Sequence, residues 1–425
     1  MKESLLHFVW QYQYFEQQDL RTSTGEKLHI FEVGKANTNA GADFEQVKIQ
    51  IGDITWQGDA EIHIKASDWR KHQHQYNARY NQVILHIVWE EDEPILRPDG
   101  TPIATLVLKD KIKSNIFDKY QYLQASKSEI ACEKLIGEVD SLHKTAMLDK
   151  ALVRRLEQKS SALKELWLGN QKDWEESTYQ ILAQNFGFKV NSSQFLRLSR
   201  LTPLKYLRKH SDQILQIEAL LFGQAGFLEQ TFAESYPQTL QKEYAFLKAK
   251  YSLERMNANQ WNFLRLRPAN FPTLRIAQFA QMLAQNINLF SFFLYAEKPK
   301  TLERMLQVSV SEYWKKHYIF EKEVEKTAST LGKSSLGNIL INTICPLLVL
   351  YGKENSKQEF IDKAIFFLEQ SPAEKNTITE KWRAIGLSPK NAADSQALIE
   401  QYNFYCSSKN CLECSVGTKI LKQST

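Results

Sequence analysis

Cysteine is scarce in these 425 residues: Cys132, Cys345, Cys406, Cys411 and Cys414 are all there is, and the first 131 positions have none. A disulfide framework in the amino-terminal part is therefore excluded. Long apolar runs are lacking too, because none reaches the roughly 20 residues that a bilayer-spanning helix needs, and no membrane partner is expected. The segment Leu5 to Trp10 is too short for a secretory core and gives way to Gln and Tyr, so the expected location is cytoplasmic. No fixed period of roughly 20 to 50 residues recurs, which argues against a solenoid. Gly223 and Gly226 lack the Lys and Ser or Thr of a phosphate-binding loop and are expected to mark a tight turn between helices.

What is present is an ordinary globular balance, 43% hydrophobic and 24% charged, in a chain long enough for two or three domains. Charge is uneven. Residues 1–135 hold 16 Lys and Arg against 20 Asp and Glu, a net of −4, which leaves +9 for the remainder. An acidic module that collects carboxylates for a metal, beside a basic one that meets phosphates, gives this split, and so does an uneven spread with no ligand behind it. Histidine is skewed further: six of nine, His7, His29, His63, His72, His74 and His86, fall in the first 86 residues.

The histidines bracket an unusual stretch. Between Gly58 and Ala66 the residues alternate, with Asp59, Glu61, His63 and Lys65 at odd positions and Ala60, Ile62, Ile64 and Ala66 at even ones. Neighbouring side chains on a strand face opposite ways, so one face is expected to be buried and the other wet and charged. A solvated edge strand has the same alternation. Asp43 precedes the strand-like Val47–Ile51, and a carboxylate there can meet one on a hairpin partner; two such groups suit magnesium or manganese. Residues 68–79 are expected to form a helix capped by Ser67 or Asp68. On that helix His72 and His74, two apart, point in different directions and are not expected to bind one ion together, whereas His72, Tyr76 and Tyr80 share a face. Gln82–Trp89 is a near-continuous apolar run, expected to be a strand buried on both faces with His86 hydrogen-bonded inside. A helix over 5–15 and strands over 28–33 and 104–108 complete the module, which implies an α+β class.

Helix, three strands, helix, strand, with Asp43 opening the second strand and Glu61-x-His63-x-Lys65 on the third, resembles the PD-(D/E)XK, or restriction-endonuclease-like, nuclease superfamily over about the first 110 residues. The resemblance implies that Asp43 and Glu61 hold the divalent ion. It places His63, or Lys65 one pleat further, where that superfamily uses a lysine to position or activate water, with His74 in support. No proline precedes Asp43, only Ala42. His72-x-x-x-Tyr76 is a loose analogue of a Gln-x-x-x-Tyr that reaches towards DNA in some of these nucleases. Over nearly its whole length the chain is also similar to a bacterial family, domain of unknown function 2851, through Ala40–Phe44, Gly58–His63, Ser67–Trp69 with His72 and His74, Val83–His86 and Tyr405–Gly417.

Beyond about Ser114 the pattern is helical, with apolar residues such as Leu148, Leu152 and Leu156 recurring every four positions. The expected division is 1–125 for the sheet module and 126–425 for a basic helical domain. Arg265, Arg267 and Arg275 surround two prolines ahead of a helix that Thr273 can cap, an arrangement that suits phosphate; arginines that lock a loop give the same pattern. Cys406-x4-Cys411-x2-Cys414 suits zinc or an iron–sulfur cluster, with Cys345 as the available fourth ligand; reduced thiols used as small apolar residues are the alternative. The expected function is metal-dependent cleavage of nucleic acid. A non-catalytic binder that keeps the fold, and a hydrolase of small substrates built on the histidines, remain as alternatives.

Overall fold

A computed structural model describes residues 2–112 and 114–423. The chain is α+β, a curled sheet followed by a mainly helical region. It divides into two compact units, residues 1–147 with 401–425, and residues 148–400. The carboxy-terminal segment, with three of the cysteines, therefore belongs to the sheet unit and not to the helical domain in which the sequence division placed it.

In the first unit, α1 (Glu3–Gln11) precedes β1 (Leu28–Glu32), β2 (Lys35–Ala36), β3 (Phe44–Ile51) and β4 (Ile54–Lys65), and β5 (Val83–Glu90) and β6 (Ala104–Val107) follow. The sheet order is β1-β3-β4-β5-β6, with β2 also on β3. β1, β3 and β4 pair antiparallel, whereas β4–β5 and β5–β6 are parallel. β5 buries every residue from Val83 to Val88, and therefore both its faces, which is why its sequence carries no alternation. At Gly58 a Cβ would sit 2.5 Å from the Gln82 carbonyl oxygen and 2.6 Å from an Ile84 methyl, so the close approach of β4 and β5 requires glycine there. α1 packs on β4 through a side that buries Leu5, Leu6, Phe8, Val9 and Trp10, and the Trp10 indole donates to the Val33 carbonyl at 3.0 Å.

Two expectations fail in this unit, and both failures shape the site. The odd face of β4 is not wet: Glu61 is 5% and His63 1% exposed. Nor is 68–79 one helix. α2 (Asp68–Lys71) stops after a turn, Gln73 adopts a left-handed φ of 61°, and two short 3-10 turns follow at His74–Tyr76 and Ala78–Tyr80. Within α2 only Trp69 is buried. A single apolar anchor gives a helix no face to pack, while Asn77 accepts from the Arg79 N–H and favours the turn instead.

The second unit is helical apart from a small hairpin, His317–Ile319 with Lys322–Glu323. The arginine–proline stretch forms a 3-10 turn, Pro268–Asn270, and then the helix Pro272–Gln285; Pro272 takes its first turn, and Phe271, not Thr273, sits at the cap. Thr273 is buried and donates to the Tyr318 carbonyl. Gly226, at φ +83°, ends the helix Ile214–Gln224. One helical run among the described residues, Lys333–Glu354, is long and apolar enough to cross a bilayer by length and composition, against the sequence expectation. Of its most apolar window 72% is buried, which suits a core helix.

Candidate metal centre

Where β3 and β4 begin to pair, two carboxylates are locked by each other's backbone. The Asp43 N–H donates to Glu61 Oε2 at 3.0 Å, and the Ile62 N–H donates to Asp43 Oδ2, also at 3.0 Å. Each acid thus has one oxygen fixed on a backbone amide. The β3–β4 register slips between Phe44 and Val47, where Gln46 takes φ 60°, so a bulge adjoins the pair. From α1, Glu3 and His7 lie four apart on one helix face, and His7 Nε2 stands 3.4 Å from Asp43 Oδ2. Burial, and then repulsion from Asp43, pushes the Glu3 carboxyl up to about 7. Burial also raises Glu61, against the pull of His74.

On the other side of Glu61 stand the imidazoles. His74 Nε2 is 3.2 Å and His63 Nε2 3.7 Å from Glu61 Oε1. His63 Nε2 also lies 3.2 Å from His72 Nδ1, while His63 Nδ1 shares a hydrogen bond of 2.9 Å with His86 Nε2. Tyr80 stacks on His74 with ring centroids 3.8 Å apart, and Trp69 meets His63, His74 and His86 edge-on. Burial, reinforced by its neighbouring imidazoles, drives His63 down to about 3, and burial does the same to His86. So lowered, His63 is a weak base, poorly suited to take a proton from water.

The expectation that His72 and His74 diverge is overturned. His63, His72 and His74 each offer a ligand nitrogen within 4.8 Å of the others, because the left-handed Gln73 turns the chain between them. The helix that would have separated them ends at Lys71. Neither His7 Nε2 nor His74 Nε2 has a hydrogen-bond partner despite burial of the atom, although each lies close to a carboxylate oxygen. Nitrogen and oxygen set side by side in a geometry that makes no hydrogen bond fit a common cation, so the donor set suits a divalent metal.

Lys65 and Tyr76 are not part of this cluster, and the three arginines belong to the second unit. Lys65 is exposed at the end of β4, in the electrostatic reach of Asp92. Tyr76 is 83% exposed and shares no helix face with His72, because the helix is broken between them. Arg265 and Arg267 are exposed in the second unit. Arg275 is buried there and stacks on Phe188; its terminal nitrogens donate to Gln278, Asn270 and Ser335, so it locks a loop and is not free for phosphate. The second unit also holds a cavity of about 990 Å³ with Lys159 in its wall. Lys159 is already bound to Asn342 and Gln396 at 2.7 Å each, and the chemistry concentrates at the carboxylates and imidazoles instead.

Four of the five cysteines belong to the first unit. Segment 124–129 is tied to 402–409: Gln124 Nε2 donates to the Lys409 carbonyl at 3.0 Å, Lys409 Nζ to the Ser126 carbonyl at 2.8 Å, and the Tyr402 hydroxyl to Glu129. Cys132 thereby comes near Cys406, Cys411 and Cys414; burial first, and then these sulfurs, raise the Cys132 thiol to about 12 and lift Cys406 as well. The buried Gln401 amide donates to Cys414 Sγ at 3.2 Å and, more weakly, to Cys406 Sγ at 3.9 Å. Cys345, the fourth ligand expected from sequence, is buried in the second unit beside Lys159, whereas Cys132 shares the first unit with the trio. Sequence reasoning also missed Glu3, although the Glu3-x3-His7 spacing on a first helix was a usable signal.

A family model described as protein of unknown function (DUF2851) matches residues 3–377, which includes every residue of the carboxylate and imidazole cluster and stops short of Cys406. Comparison with curated proteins and with solved structures gives no match.

Proposed function

The chain belongs to this family of proteins of unknown function, and we propose from the site itself that it is a metal-dependent phosphodiesterase acting on nucleic acid. The observation that carries the reading is the reciprocal lock of Asp43 and Glu61, which fixes two acids at one strand junction beneath α1. The order of one helix, antiparallel strands and a parallel crossover agrees with the PD-(D/E)XK arrangement, in which such a pair binds magnesium or manganese. Asp43 and Glu61, with Glu3 beside them, are the oxygen donors. A divalent ion there would supply an activated water and would neutralise charge developing on phosphorus. The protein's own part is to hold both carboxylates in place before substrate arrives. The exposed Arg265 and Arg267 belong to the basic part of the chain that would meet phosphates.

One observation favours a second reading, a nucleic-acid binder without efficient chemistry. The position of the usual lysine is His63, whose ring nitrogens already face His86 and His72, and Lys65 is at the exposed strand end. We also propose that Cys406, Cys411 and Cys414, with Cys132, take zinc or an iron–sulfur cluster in a reducing, cytoplasmic setting.

Labelled single-stranded and duplex DNA and RNA, incubated at low salt with manganese or magnesium, test the reading. Wild type is expected to cut at least one of them, and Glu61→Gln to bind it without cutting. Binding by both proteins and cleavage by neither would favour the binder; no binding to any of them would overturn both.

A further inference from the structure

We infer that His63, His72, His74 and Glu61 Oε1 form a second metal site, one for a borderline divalent transition metal such as zinc or cobalt, distinct in its donors from the oxygen-rich site of Asp43 and Glu3. The inference shares Glu61 with the phosphodiesterase reading and otherwise stands on different residues.

Spacing is the first argument. Four ligands at about 2.0–2.1 Å from a tetrahedral ion lie about 3.4 Å from one another. His63 Nε2 to His72 Nδ1 is 3.2 Å, His74 Nε2 to Glu61 Oε1 is 3.2 Å, and His63 Nε2 to Glu61 Oε1 is 3.7 Å. The three histidines each bring a ligand nitrogen within 4.8 Å of the others. The second argument is an orphan: His74 is 9% exposed, yet its Nε2 has no hydrogen-bond partner. A buried imidazole nitrogen left so costs stability unless something accepts its lone pair.

The surroundings prepare the ligands. When His63 Nδ1 keeps the proton and donates it to His86 Nε2, the Nε2 lone pair of His63 faces Glu61 and His72, the role that an outer partner plays for a metal-bound histidine. Tyr80 and Trp69 hold the His74 ring between a stacked face and an edge. His72 alone of the three is exposed and gives an ion a way in from solvent. Imidazole donors select zinc or cobalt over magnesium, which favours oxygen.

The test uses the full-length, metal-stripped protein titrated with cobalt(II), followed by its visible absorption and by zinc competition. Subtracting the His72→Ala spectrum isolates this site from the cysteines, and since His72 is exposed that variant is expected to fold. One cobalt equivalent should weaken by at least about tenfold in both His72→Ala and His74→Ala, and by about 10- to 100-fold in His86→Phe, which touches no ligand position but frees the His63 ring. Asp43→Asn should retain that cobalt equivalent. Equal cobalt stoichiometry and affinity in wild type, His72→Ala and His74→Ala would overturn the inference. Cobalt binding that behaves as expected in a protein that cuts no nucleic acid would leave this site standing and count against the phosphodiesterase reading alone.

Discussion

Glu61 and His63 stand on a strand whose alternation looks amphipathic, and both are buried. Alternation reports only which side chains share a face, and it is silent on what later covers that face. The acid pair was legible in the sequence; the burial that shifts its neighbours was not, because it depends on a first helix and on a loop that no local pattern connects to β4. A buried carboxyl elsewhere gives a test at the same scale. Glu218, 1% exposed in the second unit, accepts from the Tyr236 and Ser311 hydroxyls, and burial pushes it up to about 7. Between the ordinary value of 4.5 and about 7 the folded form holds a proton that the unfolded form has released. The group's contribution to stability therefore falls as pH rises through that window and is constant above it. Urea unfolding at pH 5 and pH 8 should show Glu218→Gln gaining on wild type at the higher pH, by up to about 3 kcal/mol. An identical pH dependence in the two proteins would mean that Glu218 ionises freely.

At the scale of elements, strands were easier to anticipate than the helix beside the site. Val83–Val88 is apolar apart from His86 because both faces of β5 are buried, and that run needs no tertiary knowledge to recognise. Residues 68–79 have helix-compatible composition, but their imidazoles cluster against Glu61 and each other and the chain breaks at Gln73. The substitution Gln73→Gly separates the two conformations by sign. In a continuous helix glycine would cost about 1 kcal/mol, whereas at φ 61° it relieves a strained backbone and should be neutral or stabilising by a few tenths to about 1 kcal/mol. Thermal melts of wild type and variant decide it; a clear drop in melting temperature for Gln73→Gly would contradict the left-handed turn.

For the whole molecule, the sequence distinguished an acidic sheet region from a basic helical one, and the α+β class follows. It did not show that the chain returns, so that 401–425 completes the unit begun at the amino terminus. Cys132 is far from the three late cysteines in sequence, and hydrogen bonds such as Gln124 to Lys409 bring its segment to them. If these four thiols hold zinc or an iron–sulfur cluster, elemental analysis of anaerobically purified protein should find it. Cys132→Ser should then lower metal content and melting temperature together, and Cys345→Ser should leave metal content unchanged. The reverse pattern would restore Cys345 as a ligand.

Calorimetric titration with manganese asks whether Asp43 and Glu61 hold an ion before any substrate is chosen. Run on the His72→Ala background, which sets the imidazole site aside, it should show a saturable binding event that Asp43→Asn and Glu61→Gln each abolish, since either change removes a carboxylate charge but keeps the side chain's shape. Manganese bound with equal affinity by all three proteins, or by none, would contradict the account.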